Sequence, residues 1–173
     1  MRAGAAAGES VAEVARRTVD ALRRRNETVA VAESCTAGWL GRELTAEAGA
    51  SDTFWGGVIV YADEAKQRLA GVSGELIARR GAVSEEVAIA LAEGVRERAG
   101  SPWSVAITGI AGPGGGSDEK PVGTVWIAVA GPDGTTAIRR QLSGDRTGIR
   151  AGAVDSALRD LLGRLGRAEE ASR

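Results

Sequence analysis

The stretch Thr28-Val29-Ala30-Val31-Ala32-Glu33-Ser34-Cys35-Thr36-Ala37-Gly38 (TVAVAESCTAG) decides the fold. Residues 28–32 are a short run rich in β-branched side chains, which reads as a buried strand. Glu33 to Gly38 interrupts it, and the spacing through Leu40 and Leu44 then turns helical. Ser34 therefore stands at a strand-to-helix turn.

Upstream, Ser10 and Glu13 have capping-box spacing, and Val11, Val14, Ala15, Thr18, Val19 and Leu22 share one helical face. Arg23, Arg24 and Arg25 close that helix where its dipole favours cations, a sufficient structural reason for a basic run. Residues 1–9 are predicted to be a flexible N-terminus. Downstream, TFWGGVIVY (53–61) reads as a strand whose Gly56-Gly57 pair marks a bulge or a close backbone approach. Helices follow from Asp63 to Leu69, briefly from Ser73 or Gly74, and from Ser84 to about Gly100. A strand over 103–107 runs into a glycine-rich loop, Thr108 to Pro121. Strands 122–130 and 135–142 form a hairpin about Gly131-Pro132-Asp133-Gly134. Asp145 caps a last helix with Ile149, Ala153, Val154, Ala157, Leu158, Leu161, Leu162 and Leu165 in register, and residues 167–173 read as a flexible tail. Helices and strands alternate first and a hairpin comes late. The pattern predicts one three-layer α/β/α domain over 10–166 with a mixed sheet. Ligands of such open sheets bind beyond the C-terminal ends of the strands.

Composition narrows the chemistry. At 173 residues the chain has the length of one domain, and it contains no histidine and one cysteine, Cys35. A Ser-His-Asp triad, a Cys-His pair, a His-ligated zinc and an intrachain disulfide are thereby excluded. Any hydrolysis falls to Ser, Thr, Tyr, Lys, Asp or Glu. Lys+Arg 22 against Asp+Glu 23 gives a net charge of -1, without the electropositive field of nonspecific DNA binding. Aromatics at 3% supply few stacking platforms for single strands, so no direct nucleic-acid partner is expected. The chain shows no apolar run of membrane-spanning length and no secretory h-region, and a cytoplasmic protein is expected.

Each motif carries two readings at this level. Gly109-x-x-Gly112-x-Gly114 has neither dinucleotide-fingerprint nor Walker spacing; it is a flexible connector or a loop that wraps an anion with its amides. Tyr61 and Lys66 are surface residues, or they point from a strand end and a first helical turn into one cleft. Ser34 is a helix N-cap, or a nucleophile beside amides that stabilise an oxyanion. With no histidine, a serine nucleophile needs lysine as its base. Only about 1 lysine in 2,500 is neutral at pH 7 at the reference value, so such a base must be buried.

Seven segments complete the picture: ESCTAGWL (33–40), GGVIVYADEAK (56–66), LAGVS (69–73), GAVSEEVA (81–88), TGIAGPGGG (108–116), KPVGTVWIAVA (120–130) and GDRTGIR (144–150). In this order they resemble the CinA C-terminal-domain family, over about residues 10–165. The resemblance implies an amidohydrolase like the stand-alone members that convert nicotinamide mononucleotide to nicotinate mononucleotide and ammonia. It needs no cofactor and no metal. Carried over by position, Ser34 is the nucleophile, with Tyr61 and Lys66 polarising or deprotonating it. Thr36, Thr108, Gly109, Gly112, Gly114 and Arg146 are the substrate-binding residues implied, Arg146 as a phosphate or structural contact. The partner implied is a small-molecule pyridine nucleotide, and the assembly a homodimer. Four positions depart from the family pattern: Ala37 replaces a glycine, Asp63 replaces an asparagine beside Lys66, and Thr147-Gly148 replaces a pair of glutamates. The family's competence and DNA-damage name leaves a non-catalytic nucleotide- or partner-binding module as the alternative.

Overall fold

The protein is described by a computed structural model covering residues 9–46 and 48–171; the N-terminal segment expected to be flexible lies largely outside them. Helix α1 (Val11–Arg25) opens with Ser10 accepting the Glu13 amide and ends at Asn26 in the left-handed conformation. Strand β1 (Val29–Glu33) is buried along its whole length. It is followed by α2 (Trp39–Leu44), a 3-10 turn over Ala50–Asp52, and β2 (Phe54–Ile59). Helices α3 (Asp63–Ala70), α4 (Gly74–Arg80) and α5 (Glu85–Ala99) come next, α4 and α5 capped by the side chains of Ser73 and Ser84. Strands β3 (Trp103–Gly109), β4 (Thr124–Gly131) and β5 (Gly134–Gln141) precede α6 (Arg146–Ala171). The last helix continues past Arg167, where the sequence predicts a tail.

The sheet order is β2-β1-β3-β4-β5. β1 lies parallel to β2 and β3, while β4 and β5 complete an antiparallel meander. This is the expected mixed sheet, and it carries a helical layer on each face. Strand alternation divides the two cores by size. Val29, Val31, Val105, Ile107, Val125, Ile127 and Val129 meet α1, α2 and α6 on one face. Ala30, Ala32, Ala106, Ala128 and Ala130 face α3, α4 and α5 on the other. The small residues let α5 lie close: Ser104 Oγ donates to Ala92 O at 2.6 Å.

The Gly56-Gly57 pair fulfils both of its readings. The β1–β2 register skips a residue between Val29 and Ala30, and a Cβ on Gly57 would lie 2.3 Å from Val31 Cγ2. Of the four tryptophans, Trp103 is fully buried, Trp39 and Trp126 are partly buried, and Trp55 is exposed on the edge strand β2.

Candidate active site

β1 carries the chain to Ser34, whose amide donates to Ile107 O of β3 at 2.9 Å. The backbone then turns sharply, with Ala37 at φ 50° and Gly38 at φ 95°. A left-handed alanine costs roughly 1–2 kcal/mol, where a glycine would carry no such penalty. The cap position of α2 is Gly38, four residues beyond Ser34, so Ser34 does not cap the helix. Glu33, 1% exposed, fills that role through space: its carboxylate accepts the amides of Gly38 (3.1 Å), Leu40 (3.0 Å) and Gly41 (2.8 Å). The first amides of the helix are therefore occupied, and an oxyanion finds no donor there. Ala37 N–H donates to Ser34 O, and Trp39 N–H to Thr36 O. Among the described residues, the amides of Cys35 and Thr36 donate to no other residue, and Ser34 Oγ has no hydrogen-bond partner. Burial pushes the Cys35 thiol up to about 11, so it is protonated at neutral pH and is no rival to the serine.

Ser34, Cys35, Tyr61, Asp63, Lys66, Ala82, Val83, Thr108, Gly109, Ala111 and Arg146 line one cleft of about 210 Å³. It lies beyond the C-terminal ends of β1 and β3, where the sheet topology places a ligand. Lys66 is 1% exposed, on the first turn of α3. Its Nζ donates to Tyr61 O at 3.1 Å and to Asp63 Oδ1 at 3.2 Å, which leaves the third donor of an ammonium without a protein partner. Lys66 and Ser34 share the cleft without a direct hydrogen bond. Tyr61, 58% exposed, lies just past the end of β2, and its hydroxyl accepts from Arg146 Nη2 at 3.1 Å. Arg146 Nη1 donates to Gly112 O at 2.7 Å. Thr108, 1% exposed, donates its hydroxyl to Ala82 O at 2.8 Å, holding the segment before α5 against the end of β3.

Not every residue implied by the resemblance reaches the cleft. Thr36 is fully buried outside the lining, with its Oγ1 unpartnered. Gly112 acts through its carbonyl on Arg146, and Gly114 is exposed on the loop. Three site-building residues went unassigned in the sequence. Glu33 orders the turn after β1. Arg150 donates to Cys35 O (2.9 Å) and Thr36 O (3.0 Å) and lies over the Trp39 ring. Asp63 holds Lys66. The four-residue spacing of Arg146 and Arg150 was the available signal for the second, since it puts both on one face of α6. Among the described residues, no group of three or more acidic or cysteine side chains could hold a metal ion.

A family model described as the CinA C-terminal domain matches residues 11–165. A CinA-like protein of a Synechococcus strain is 58% identical over 140 residues, 79% of this chain and 33% of the relative. One from Anaeromyxobacter is 53% identical over 151 residues, 87% of this chain and 37% of the relative. The chain thus spans about a third of the length of these curated relatives. Solved structures match end to end. The competence/damage inducible protein CihA from Agrobacterium tumefaciens has 37% identity and a TM-score of 0.87, covering 94% of this chain and 99% of its own. A CinA superfamily protein from Klebsiella pneumoniae has 34% identity and a TM-score of 0.88, covering 92% and 99%. From the glutamate-fastened turn at Ser34 to the arginines opening α6, this chain belongs to the CinA C-terminal domain family.

Proposed function

We propose that the chain is a nicotinamide mononucleotide amidohydrolase, which releases nicotinate mononucleotide and ammonia. The observation that carries this reading is a buried lysine with a spare donor and an unpartnered serine hydroxyl lining one cleft, in a protein without histidine. In the proposed reaction Lys66, as the neutral amine, takes the Ser34 Oγ proton while Oγ attacks the carboxamide carbon. The oxygen of the tetrahedral intermediate meets the amide of Cys35, which lines the cleft and donates to no other residue. As the C–N bond breaks, Lys66 returns the proton to the departing nitrogen, giving ammonia and an ester on Ser34. Water, deprotonated by Lys66, then attacks the ester; Lys66 returns that proton to Ser34 Oγ as the C–O bond breaks, which frees the nicotinate product as the carboxylate and its proton to solvent.

A cleft of about 210 Å³ is smaller than the roughly 300–1,000 Å³ typical of ligand pockets. It suits the pyridine ring and its amide, with the ribose phosphate directed to exposed Arg146. Because Arg146 already holds Tyr61 Oη and Gly112 O, the phosphate would draw on a guanidinium tied to both walls of the cleft.

One feature favours the second reading, a non-catalytic nucleotide-binding module: Lys66 Nζ is held by Tyr61 O and Asp63 and not by Ser34 Oγ. Ammonia release from nicotinamide mononucleotide by the pure protein separates the two. The amidohydrolase turns over and Ser34→Ala loses that turnover. Calorimetric binding without product selects the module, and turnover unchanged in Ser34→Ala sinks the proposed mechanism.

A further inference from the structure

The first two turns of α6 contribute two arginines to the site, and only Arg146 lines the cleft. Arg150 is partly buried, and among the described residues it pairs with no carboxylate. Its polar contacts are two carbonyl oxygens, those of Cys35 and Thr36, the two residues after Ser34. The guanidinium also lies 5.5 Å from the centroid of the Trp39 ring, and Trp39 Nε1 is in turn held by Glu43.

A trans peptide directs its C=O and N–H in opposite directions within one plane. When Arg150 Nε draws Cys35 O towards α6, the Thr36 amide of that same peptide is turned away from α6. The neighbouring planes are pinned as well, since Thr36 O is held by Arg150 Nη2 and Trp39 N, and Ser34 O by Ala37 N. From Ser34 to Gly41, six amides are used: Ser34 on Ile107 O, Ala37 on Ser34 O, Trp39 on Thr36 O, and Gly38, Leu40 and Gly41 on Glu33. Cys35 and Thr36 keep theirs. A carboxylate thus gathers the amides of the turn's far half, and a guanidinium gathers the carbonyls of its near half.

We propose that Arg150 is a positioning residue, which fixes the Cys35–Thr36 peptide plane and with it the turn that carries Ser34 Oγ into the cleft. The assignment rests on the amidohydrolase reading for its kinetic consequence and on the peptide geometry alone for its structural one. A misplacement of about 1 Å in the nucleophile lowers turnover about 10²-fold. Arg150 does not reach the cleft, so substrate binding is spared.

The test uses Arg150→Lys, which keeps a cation but not the fork, and Arg150→Ala. With nicotinamide mononucleotide, kcat falls about 10²-fold in both variants while KM stays within about threefold. Added guanidinium ion restores part of the lost turnover to Arg150→Ala and none to Arg150→Lys. Unchanged kcat, or a loss expressed mainly in KM, overturns the assignment. The 15N–1H resonances of Cys35 and Thr36 give a second readout that needs no turnover. Shifts in both amides of Arg150→Lys, with the β3 amides unmoved, support the assignment, and unmoved Cys35 and Thr36 resonances overturn it. A wild-type chain that releases no ammonia removes the amidohydrolase reading, and the resonances then decide Arg150 by themselves.

Discussion

Lys66 and Arg164 are both cations buried to within a few per cent, at opposite ends of the same sheet. Arg164 lies at the N-terminal end of the parallel strands. It donates to Val129 O and Thr136 Oγ1, to Gly134 O, and to the Asp133 carboxylate, and it stacks over Trp103. Four acceptors clamp both sides of the β4–β5 turn and occupy both terminal nitrogens of the guanidinium. Lys66 lies at the other end with two acceptors for three donors, beside a cleft and an unpartnered hydroxyl. Each cation has one half-exposed carboxylate, Asp63 for Lys66 and Asp133 for Arg164. Burial of charge, common to both, therefore marks nothing by itself. Spare hydrogen-bonding capacity facing a cavity is what separates a candidate base from a structural rivet.

Exchanging each cation for methionine breaks the comparison most forcefully. Lys66→Met should abolish ammonia release, a loss of at least about 10³-fold, with the melting temperature little changed. Arg164→Met should do the reverse. It orphans the carbonyls of Val129 and Gly134 and costs about 2–4 kcal/mol, seen as a fall of roughly 5–15 °C in Tm with turnover per folded molecule unchanged. Similar Tm losses in the two variants would erase the distinction.

The paired carboxylates sharpen it further. Asp63→Asn replaces the carboxylate that accepts from Lys66 Nζ at 3.2 Å with a neutral amide. With that hold on Nζ weakened, kcat should rise by about fivefold. A drop in kcat would make Asp63 a required partner instead. The smallest effect belongs to Asp133. Burial raises its carboxyl, but the hydrogen bond and charge of Arg164 outweigh that and hold it below the usual carboxylate range. The native state therefore binds that proton less readily than the unfolded chain. Its stabilising contribution stands above about pH 4 and is lost as the pH falls through the native value. Between pH 5 and 3, Tm should fall more steeply in the parent than in Asp133→Asn, and parallel curves would assign the acid loss elsewhere.

Local chemistry made much of the fold legible. Ser10, Ser73 and Ser84 each cap the helix expected after them, because a cap is a contact with an amide three residues away. The hairpin at 131–134 follows from its own turn residues. Other features are settled only in three dimensions. Of the two readings of Ser34, the cap is excluded because Glu33 caps α2 from inside the turn, and left-handed Ala37 and Gly38 make that geometry possible. The extent of α6 beyond Arg167 was equally hidden, since a charged, weakly patterned end gives no internal reason to stay helical.

The sequence by itself determined the layer architecture, the strand-end position of Ser34 and, through the missing histidine, the choice of lysine as the candidate base. These follow from periodicity, capping and composition, which act within a few residues or over the whole chain at once. Only the tertiary structure decided that Tyr61, Lys66, Thr108 and Arg146 meet Ser34 in one cleft. It alone assigned Arg150 to the carbonyls of the turn across 115 residues of chain. A hydrogen bond has a reach of about 3 Å in space and no preferred separation along the sequence, so nothing in the residues' order announces which groups folding will bring together.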